Sequence, residues 1–489
     1  MNKVIIIGAG IGGLTAGNLL AQKGHDVTIF ESHTSPGGYT AGFWRKGFYF
    51  ESGTLAFEAS NTIFKAMKDI GVFDKIEFVE QKSRWVSADF DGVPQTYDEF
   101  KNMLLSAYPN QKGWLTEYFT QVDKMVQGFR PFLAVKKKFF ESLRAGLTMF
   151  QVYRKYGNQP MSEFTAHFFP KDTFLNRFFT NIGYPDMAAW ILGGAIASLF
   201  YDYWTVKNGM QSWADILTGQ FKNNGGKLFL NSRVDQILTS GGRATGVSCN
   251  DKTFNADYVI SASDYKNTFL NLLDSPSQID SDLMTKIENN AVSEGFFTVY
   301  LGLSLSNDEL RSYLKVPHVM YFDDQPDMDI HDSNDEKYFD KTSIVLYSPS
   351  LFDSSLAPLG KSSLMLQAVV PYRWMNKWGD GDRERYRQLK QTAKNAMLKK
   401  ASFIIPDLQK HIEFEDAATP LTYERYTGNT DGATSAWSWN PANKFYKSFN
   451  RTYTETPVKN LFIGSCWANQ IGGVPGAVSA AYGCVKRIK

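Results

Sequence analysis

Val4-Ile5-Ile6-Ile7 runs directly into Gly8-Ala9-Gly10-Ile11-Gly12-Gly13, so Gly8, Gly10 and Gly13 fall at GxGxxG spacing behind a short apolar run. That pattern serves a diphosphate. The first glycine allows a tight strand-to-helix turn, the second lets phosphates approach the backbone, and the third brings helix and strand together. The helix that follows presents unpaired N–H groups and a partial positive charge at its N-terminus. A second strand, Asp26 to Phe30, ends in Glu31, 18 residues past Gly13, where a carboxylate can accept both hydroxyl hydrogen bonds of an adenosine ribose. Gly8, Gly10, Gly12, Gly13 and Glu31 are therefore the first candidate dinucleotide ligands.

These residues need a strand, a helix and a second strand to hold them. Ile11, Leu14, Leu19 and Leu20 recur at helical spacing, and Met1-Asn2-Lys3 leads straight into the apolar run of a first strand rather than into a signal peptide. With 489 residues the chain has room for two or more domains. Hydrophobic residues at 43% and charged residues at 21% exclude a disordered, collagen-like or polytopic membrane chain. Three cysteines without CxxC spacing make neither a disulfide framework nor a zinc site, which fits a reducing, cytoplasmic setting. The net charge of +2 gives no sign of nucleic-acid binding. The longest apolar run, Met187 to Tyr201, falls short of the ~20 residues that cross a bilayer. It reads as a buried core helix, or as an interfacial or cavity-lining one.

A second glycine patch follows Glu31. Pro36-Gly37-Gly38-Tyr39 offers backbone that can lie flat against a large planar ring, which a nicotinamide dehydrogenase does not need. Here the sequence resembles the flavin-binding amine oxidase and phytoene desaturase superfamily, whose members carry a glycine-rich first unit, an acidic ribose ligand and a PGG segment beside the isoalloxazine. Relatives usually have Arg after the second glycine; this chain has Tyr39. Residues 209–237 read as a helix, a Gly225-Gly226 turn and a strand, with a hairpin at Gly241-Gly242 and a strand near Ala256 to Ala262. The resemblance places Val234 on the adenine. Leu461-Phe462-Ile463-Gly464-Ser465 is a strand ending in glycine, and Gly472, Gly473, Val474 and Pro475 open a last helix. That helix N-terminus can stabilise charge at flavin N1–C2=O. Ser465 stands where many relatives have an acid that holds the ribityl chain. The implied cofactor is FAD, and Gly37, Gly38, Tyr39, Val234, Gly464, Ser465, Gly472, Gly473, Val474 and Pro475 join its candidate ligands. No second GxGxxG follows a strand, which implies electron exchange with substrate, quinone or oxygen rather than a nicotinamide.

Between Lys124 and Arg177 ten basic residues face three acidic ones, and eleven residues are Phe or Tyr. This is the composition of an interfacial helix on anionic lipid, or of a solvated basic face over an aromatic core. Thr419-Pro420-Leu421-Thr422-Tyr423-Glu424-Arg425 resembles a segment of the carotenoid isomerase and retinol saturase branch. The resemblance implies an FAD-dependent oxidoreductase acting on C–C/C=C bonds of a long apolar polyene. The alternatives are a redox-neutral cis–trans isomerase or retinol-saturase-like reductase, a flavin-bearing lipid carrier, and an amine oxidase. The expected partners are an apolar substrate and a membrane surface touched peripherally.

No catalytic residue is assigned. Glu51 and Arg425 are polar groups that could approach the ring or merely fix a loop and a turn. The six histidines are scattered singly, no metal is expected, and an EF-hand register from Asp327 lacks its glycine and puts Tyr338 at the twelfth place. The expected fold class is α/β. A discontinuous Rossmann-type FAD-binding domain takes residues 1–84, 206–285 and 440–489. A mixed-sheet and helical substrate domain takes 85–205 and 286–439, with 100–205 a helical, membrane-facing cap. Within it a hairpin from Trp85 to Tyr97 turns at Asp91-Gly92.

Overall fold

The computed structural model describes residues 1–133, 139–184, 186–276, 279–323, 334–449 and 451–489; Asp327 to Ser333 of the EF-hand register lie outside them, as do Lys136, Lys137 and Lys138. Beyond its exposed first residue Lys3, the first strand, β1 (Lys3–Ile7), is apolar because both its faces are covered. Val4 and Ile6 enter one core, while Ile5 and Ile7 enter another on the opposite side. Next come α1 (Ile11–Gln22), β2 (Asp26–Phe30), α2 (Ser60–Ile70) and β3 (Ser83–Val86). A helical stretch follows with α3 (Tyr97–Ala107), α4 (Lys112–Leu133), α5 (Phe139–Tyr156) and α6 (Ile191–Tyr201). The chain then runs through α7 (Met210–Asn223), β4 (Lys227–Phe229), β5 (Val234–Ser240), β6 (Arg243–Cys249), β7 (Lys252–Asn255) and β8 (Tyr258–Ser261). The remaining elements used below are β9 (Gly295–Leu303), β10 (His318–Tyr321), β11 (Ile344–Tyr347), β12 (Ser362–Val370), α8 (Arg383–Ile404), β13 (Ile412–Ala418), α9 (Pro420–Thr427), β14 (Leu461–Ile463) and α10 (Gly473–Arg487).

Two large sheets result. The nucleotide sheet is fully parallel in the order β14-β8-β1-β2-β4, so segments from both extremes of the sequence are neighbours in it. A small antiparallel sheet, β5-β6-β7, covers one of its faces, while α1, α7 and α10 cover the other. The second sheet is mixed, ordered β13-β9-β12-β11-β10-β3, with Asp91–Gly92 as a short last strand and β10 parallel to β3. Period-two alternation splits its faces. Phe297, Val299 and Leu301 of β9 pack with Ala393, Met397 and Ala401 of α8, whereas Phe296 and Tyr300 point the other way, into a cavity.

The hairpin after Trp85 differs from its expected form. Asp91 and Gly92 are not the turn; they pair with Val86 and Trp85. The turn lies over Ser87 to Phe90, where the Ser87 N–H donates to the Phe90 carbonyl (2.8 Å) and the Ser87 hydroxyl accepts from the Asp89 N–H (3.1 Å). Tyr97 begins α3 instead of ending a strand, and Thr96 caps that helix by accepting from the Glu99 N–H. The apolar run becomes α6, which is buried. A Cβ on Gly193 would lie 2.3 Å from the Met125 Cβ, so the glycine is what lets α6 approach α4. Just before it, Trp190 is fully buried between Phe129 (centroids 5.5 Å apart, stacked) and Tyr153. No described helix is long and apolar enough to cross a membrane.

Candidate functional site

The turn after β1 is shaped by what a side chain would hit. Gly8 has φ 99°, and its N–H donates to the Phe30 carbonyl (2.8 Å). A Cβ on Gly13 would lie 2.0 Å from the Gly8 carbonyl oxygen, and one on Gly12 would lie 2.3 Å from that of Gly464. Gly10 is different. Its φ is an ordinary −71°, and the nearest atom to a built Cβ is the Gly37 oxygen at 3.9 Å, so that space opens into the cavity. No side chain caps α1, which leaves its first-turn amides to an anion. Glu31 stands at the end of β2 with one carboxylate oxygen on the Ala9 N–H (2.7 Å) and the other on the His33 N–H (2.8 Å). It braces the glycine turn and still faces the cavity. Gly37 meets the same turn through its N–H to the Ala9 carbonyl (2.9 Å).

The far end of the chain supplies a second uncapped helix start. Gly472, φ 67°, lies against the Ser435 carbonyl, and Gly473 and Val474 at the opening of α10 face the cavity. Val234 and Ser465 line it too, but the Ser465 hydroxyl donates to the Ser263 carbonyl (2.7 Å). Gly13, Gly464, Gly472 and Pro475 stand behind the lining; Gly464 packs on Ile260. Tyr39 faces the cavity and stacks on Tyr423 (5.7 Å) while its hydroxyl donates to the Gly432 carbonyl (3.0 Å). Two helix N-termini, a carboxylate at a strand end and a glycine whose missing side chain opens the floor fit a dinucleotide carrying a ring system.

The cavity continues past Gly37 and Gly38 to a total of about 1780 Å³, above the ~300–1,000 Å³ of an ordinary ligand pocket. Its far walls are Phe296, Tyr300, Met320, Phe322, Ile344 and Leu199, with polar groups set among them. His318 shares a 2.8 Å hydrogen bond with the Ser83 hydroxyl, and burial lowers its pKa to about 4, so its ring is neutral. Tyr184 is bonded to Thr434 through their hydroxyls (2.6 Å). Glu58 and Tyr203 also face the cavity. Asp264 holds the Asn267 and Thr430 N–H groups, and burial raises its pKa to about 6. Burial pushes the Cys466 thiol up to about 12.

Glu51 takes the modest one of its two roles. It is fully buried away from the cavity, accepts from the Tyr49 hydroxyl (2.9 Å) and the Met210 N–H (3.1 Å), and burial raises its pKa to about 8. Arg425 lies over the Tyr426 ring, and Tyr426 in turn meets His33, so this arginine sits at the nucleotide end. Glu58, Tyr184, Tyr203 and His318 were not singled out in the sequence. Glu58 has a faint signal, an acid in an aromatic segment just before a helix that it does not cap. Among the described residues no cluster of His, Cys, Asp or Glu could hold a metal.

A family profile described as flavin containing amine oxidoreductase matches residues 11–489. A 4,4'-diapophytoene desaturase (4,4'-diapolycopene-forming) of Methylomonas sp is 26% identical over 480 residues, covering 91% of this chain and 89% of the relative. An all-trans-retinol 13,14-reductase of Danio rerio is 24% identical, covering 98% of this chain and 84% of the relative. Among solved structures, a single-site variant of putrescine oxidase superposes with a TM-score of 0.66 at 14% identity, covering 100% of this chain and 98% of the other; at that identity it speaks for the fold alone.

Proposed function

The chain belongs to the flavin containing amine oxidoreductase family, and from that premise we propose that it is an FAD-dependent oxidoreductase acting on C–C/C=C bonds of a long apolar polyene. The observation that carries this reading is the single cavity. It begins at the glycine turn, passes the start of α10, and continues between aromatic and aliphatic walls without a break. The desaturase and retinol reductase relatives, similar over nearly the whole chain, support the same chemistry.

FAD, when bound, supplies a hydride acceptor or donor. The chain's part is to bind, orient and keep dry. The first-turn amides of α1 would take the diphosphate, Glu31 the adenosine ribose, and Val234 the adenine. Gly37, Gly38 and Tyr39 would flank the ring, with Gly473 and Val474 at its pyrimidine edge. The walls from Phe296 to Phe322 would hold the polyene against it and exclude water, which suits a substrate that offers little to hydrogen-bond.

We further propose that the protein touches a membrane surface, from which such a substrate can be drawn. On α5 Leu147 (61% exposed) and Phe150 (63%) project beside exposed Arg144, Arg154 and Lys155. Flotation with anionic liposomes is expected to carry the protein upward at low salt; no flotation at any salt would overturn this part.

The test of function is anaerobic incubation of the FAD-loaded protein with phytoene-type polyenes, lycopene isomers and retinol. Loss of the oxidised-flavin visible absorbance on mixing identifies desaturation, and reoxidation of pre-reduced flavin identifies saturation. Isomerised product from pre-reduced flavin without net electron loss selects the redox-neutral reading. A flavin indifferent to every polyene but reduced by amines would overturn the proposal.

A further inference from the structure

We propose that Glu58 is the residue that exchanges the substrate proton, an assignment that rests on the reaction proposed above. The geometry leads there by position. Glu58 lines the cavity with Tyr184, Tyr203 and Trp439, and beside Gly473 and Val474 at the start of α10. A Cβ on Gly473 would stand 3.9 Å from a Glu58 carboxyl oxygen. The carboxyl group therefore borders the place where the ring and the apolar walls meet.

Its freedom from other work strengthens the case. An acid just ahead of α2 would ordinarily serve that helix's N-terminus, yet Asp202 does so from the end of α6. The Asp202 carboxylate accepts from the Ser60 N–H (3.1 Å) and from the Trp204 indole N–H (3.0 Å). Glu58 instead turns back toward its own backbone N–H. The titratable groups that bear on it are the Asp202 carboxylate and the phenols of Tyr184 and Tyr203, with Glu294 beyond Tyr184; none is a cation. Burial, with the Asp202 charge adding to it, raises the Glu58 pKa to about 7, so acid and base forms coexist near neutrality. Another titratable group in the cavity is a weaker candidate. His318 shares one ring nitrogen with Ser83, and at a pKa of about 4 it is a poor base.

The step balances in both directions. In desaturation one substrate carbon gives a hydride to flavin N5, and the adjacent carbon gives a proton to the Glu58 carboxylate. Two C–H bonds break, the C=C bond forms, the substrate loses two electrons to FAD, and neutral Glu58 returns its proton to solvent. Saturation runs the same atoms backward, with Glu58 as the acid.

The experiment compares wild type, Glu58→Gln and Glu58→Asp as FAD-loaded proteins. All three are expected to take up FAD equally. Anaerobic flavin bleaching by a reactive polyene is expected to slow by ~100-fold or more in Glu58→Gln and less in Glu58→Asp. The wild-type rate should rise with pH through about 7 in the desaturation direction, and Glu58→Gln should lose that dependence. Without turnover, the wild-type flavin band is expected to shift across the same pH range and the Glu58→Gln band to stay fixed. Equal bleaching by wild type and Glu58→Gln overturns the role of Glu58 and leaves the function standing. A wild-type flavin that no polyene bleaches or reoxidises overturns the function, and the assignment with it. A wild-type spectrum indifferent to pH overturns the placement of Glu58 beside the ring.

Discussion

The two ends of the cavity are walled by opposite means. At the nucleotide end the wall is mostly backbone: Gly8, Gly10 and Gly37, the start of α1 and the start of α10, with Glu31 bracing them. At the other end it is side chains, Tyr300 and Phe296 from the mixed sheet, Phe322 beyond β10, Leu199 from α6 and Tyr203 just after it. A backbone wall recognises phosphate and ring atoms that are the same in every cofactor molecule, and it is damaged by adding atoms. A side-chain wall sets shape and reactivity for one substrate, and it is altered by exchanging atoms.

The sharpest way to break this comparison is a pair of glycine substitutions. Gly13→Val drives a side chain into the Gly8 carbonyl, 2.0 Å from the built Cβ, and is expected to cost about 4 kcal/mol or more of stability, read by urea unfolding. Gly10→Ala adds a Cβ that meets nothing closer than 3.9 Å; the cofactor-free protein should keep wild-type stability while FAD binding, followed by fluorescence quenching, is lost. Equal unfolding of both variants would erase the distinction between packing and ligand-facing glycines.

At the side-chain end, His318 should tie stability to pH. Its folded pKa of about 4 lies below its ordinary 6.5, so on falling pH the unfolded chain takes up a proton before the folded one does. Its contribution is complete above 6.5 and is lost down to about 4, on the order of 3 kcal/mol across the window. Asp264, Glu58 and Glu51, with raised pKa values, push oppositely there. The residue is therefore isolated as the difference between wild type and His318→Gln at pH 7.5, 6 and 5. The variant should gain on wild type as pH falls; parallel curves would refute it.

Smaller effects sharpen the boundary between the two ends. Glu31→Ala removes the acceptors of the Ala9 and His33 amides together with the proposed ribose ligand, and should weaken FAD binding by about 2 kcal/mol, roughly 30-fold by titration. Tyr39→Phe deletes one hydroxyl-to-carbonyl bond to Gly432 and keeps the ring on Tyr423. It should cost about 1 kcal/mol in unfolding experiments.

What could be read from sequence follows the same division. Gly8, Gly13 and Glu31 were legible because their constraints are local, a turn and two strands within some thirty residues. Tyr39 was legible only as a departure; its hydroxyl partner is 393 residues away. Glu58 was hidden because its availability depends on Asp202 capping α2 across 142 residues. The Asp91-Gly92 pair carried a turn signal that Ser87 pre-empted, since its hydroxyl and amide closed the loop earlier. The basic, aromatic stretch allowed two readings because charge and ring counts do not say which face is covered. Met125 and Val152 proved buried, Leu147 and Phe150 exposed.

The strand order has a consequence during synthesis. β14 completes the parallel sheet at β8, and α10 packs across α1, yet β1 leaves the ribosome more than 450 residues earlier. At ~5–20 residues per second the open edge of β8 and the bare flank of α1 wait for tens of seconds before being covered. Cofactor capture is thereby postponed until the polypeptide's late segments arrive, and a ribosome stalled before residue 461 would release a chain that a holdase chaperone, rather than flavin, must shield.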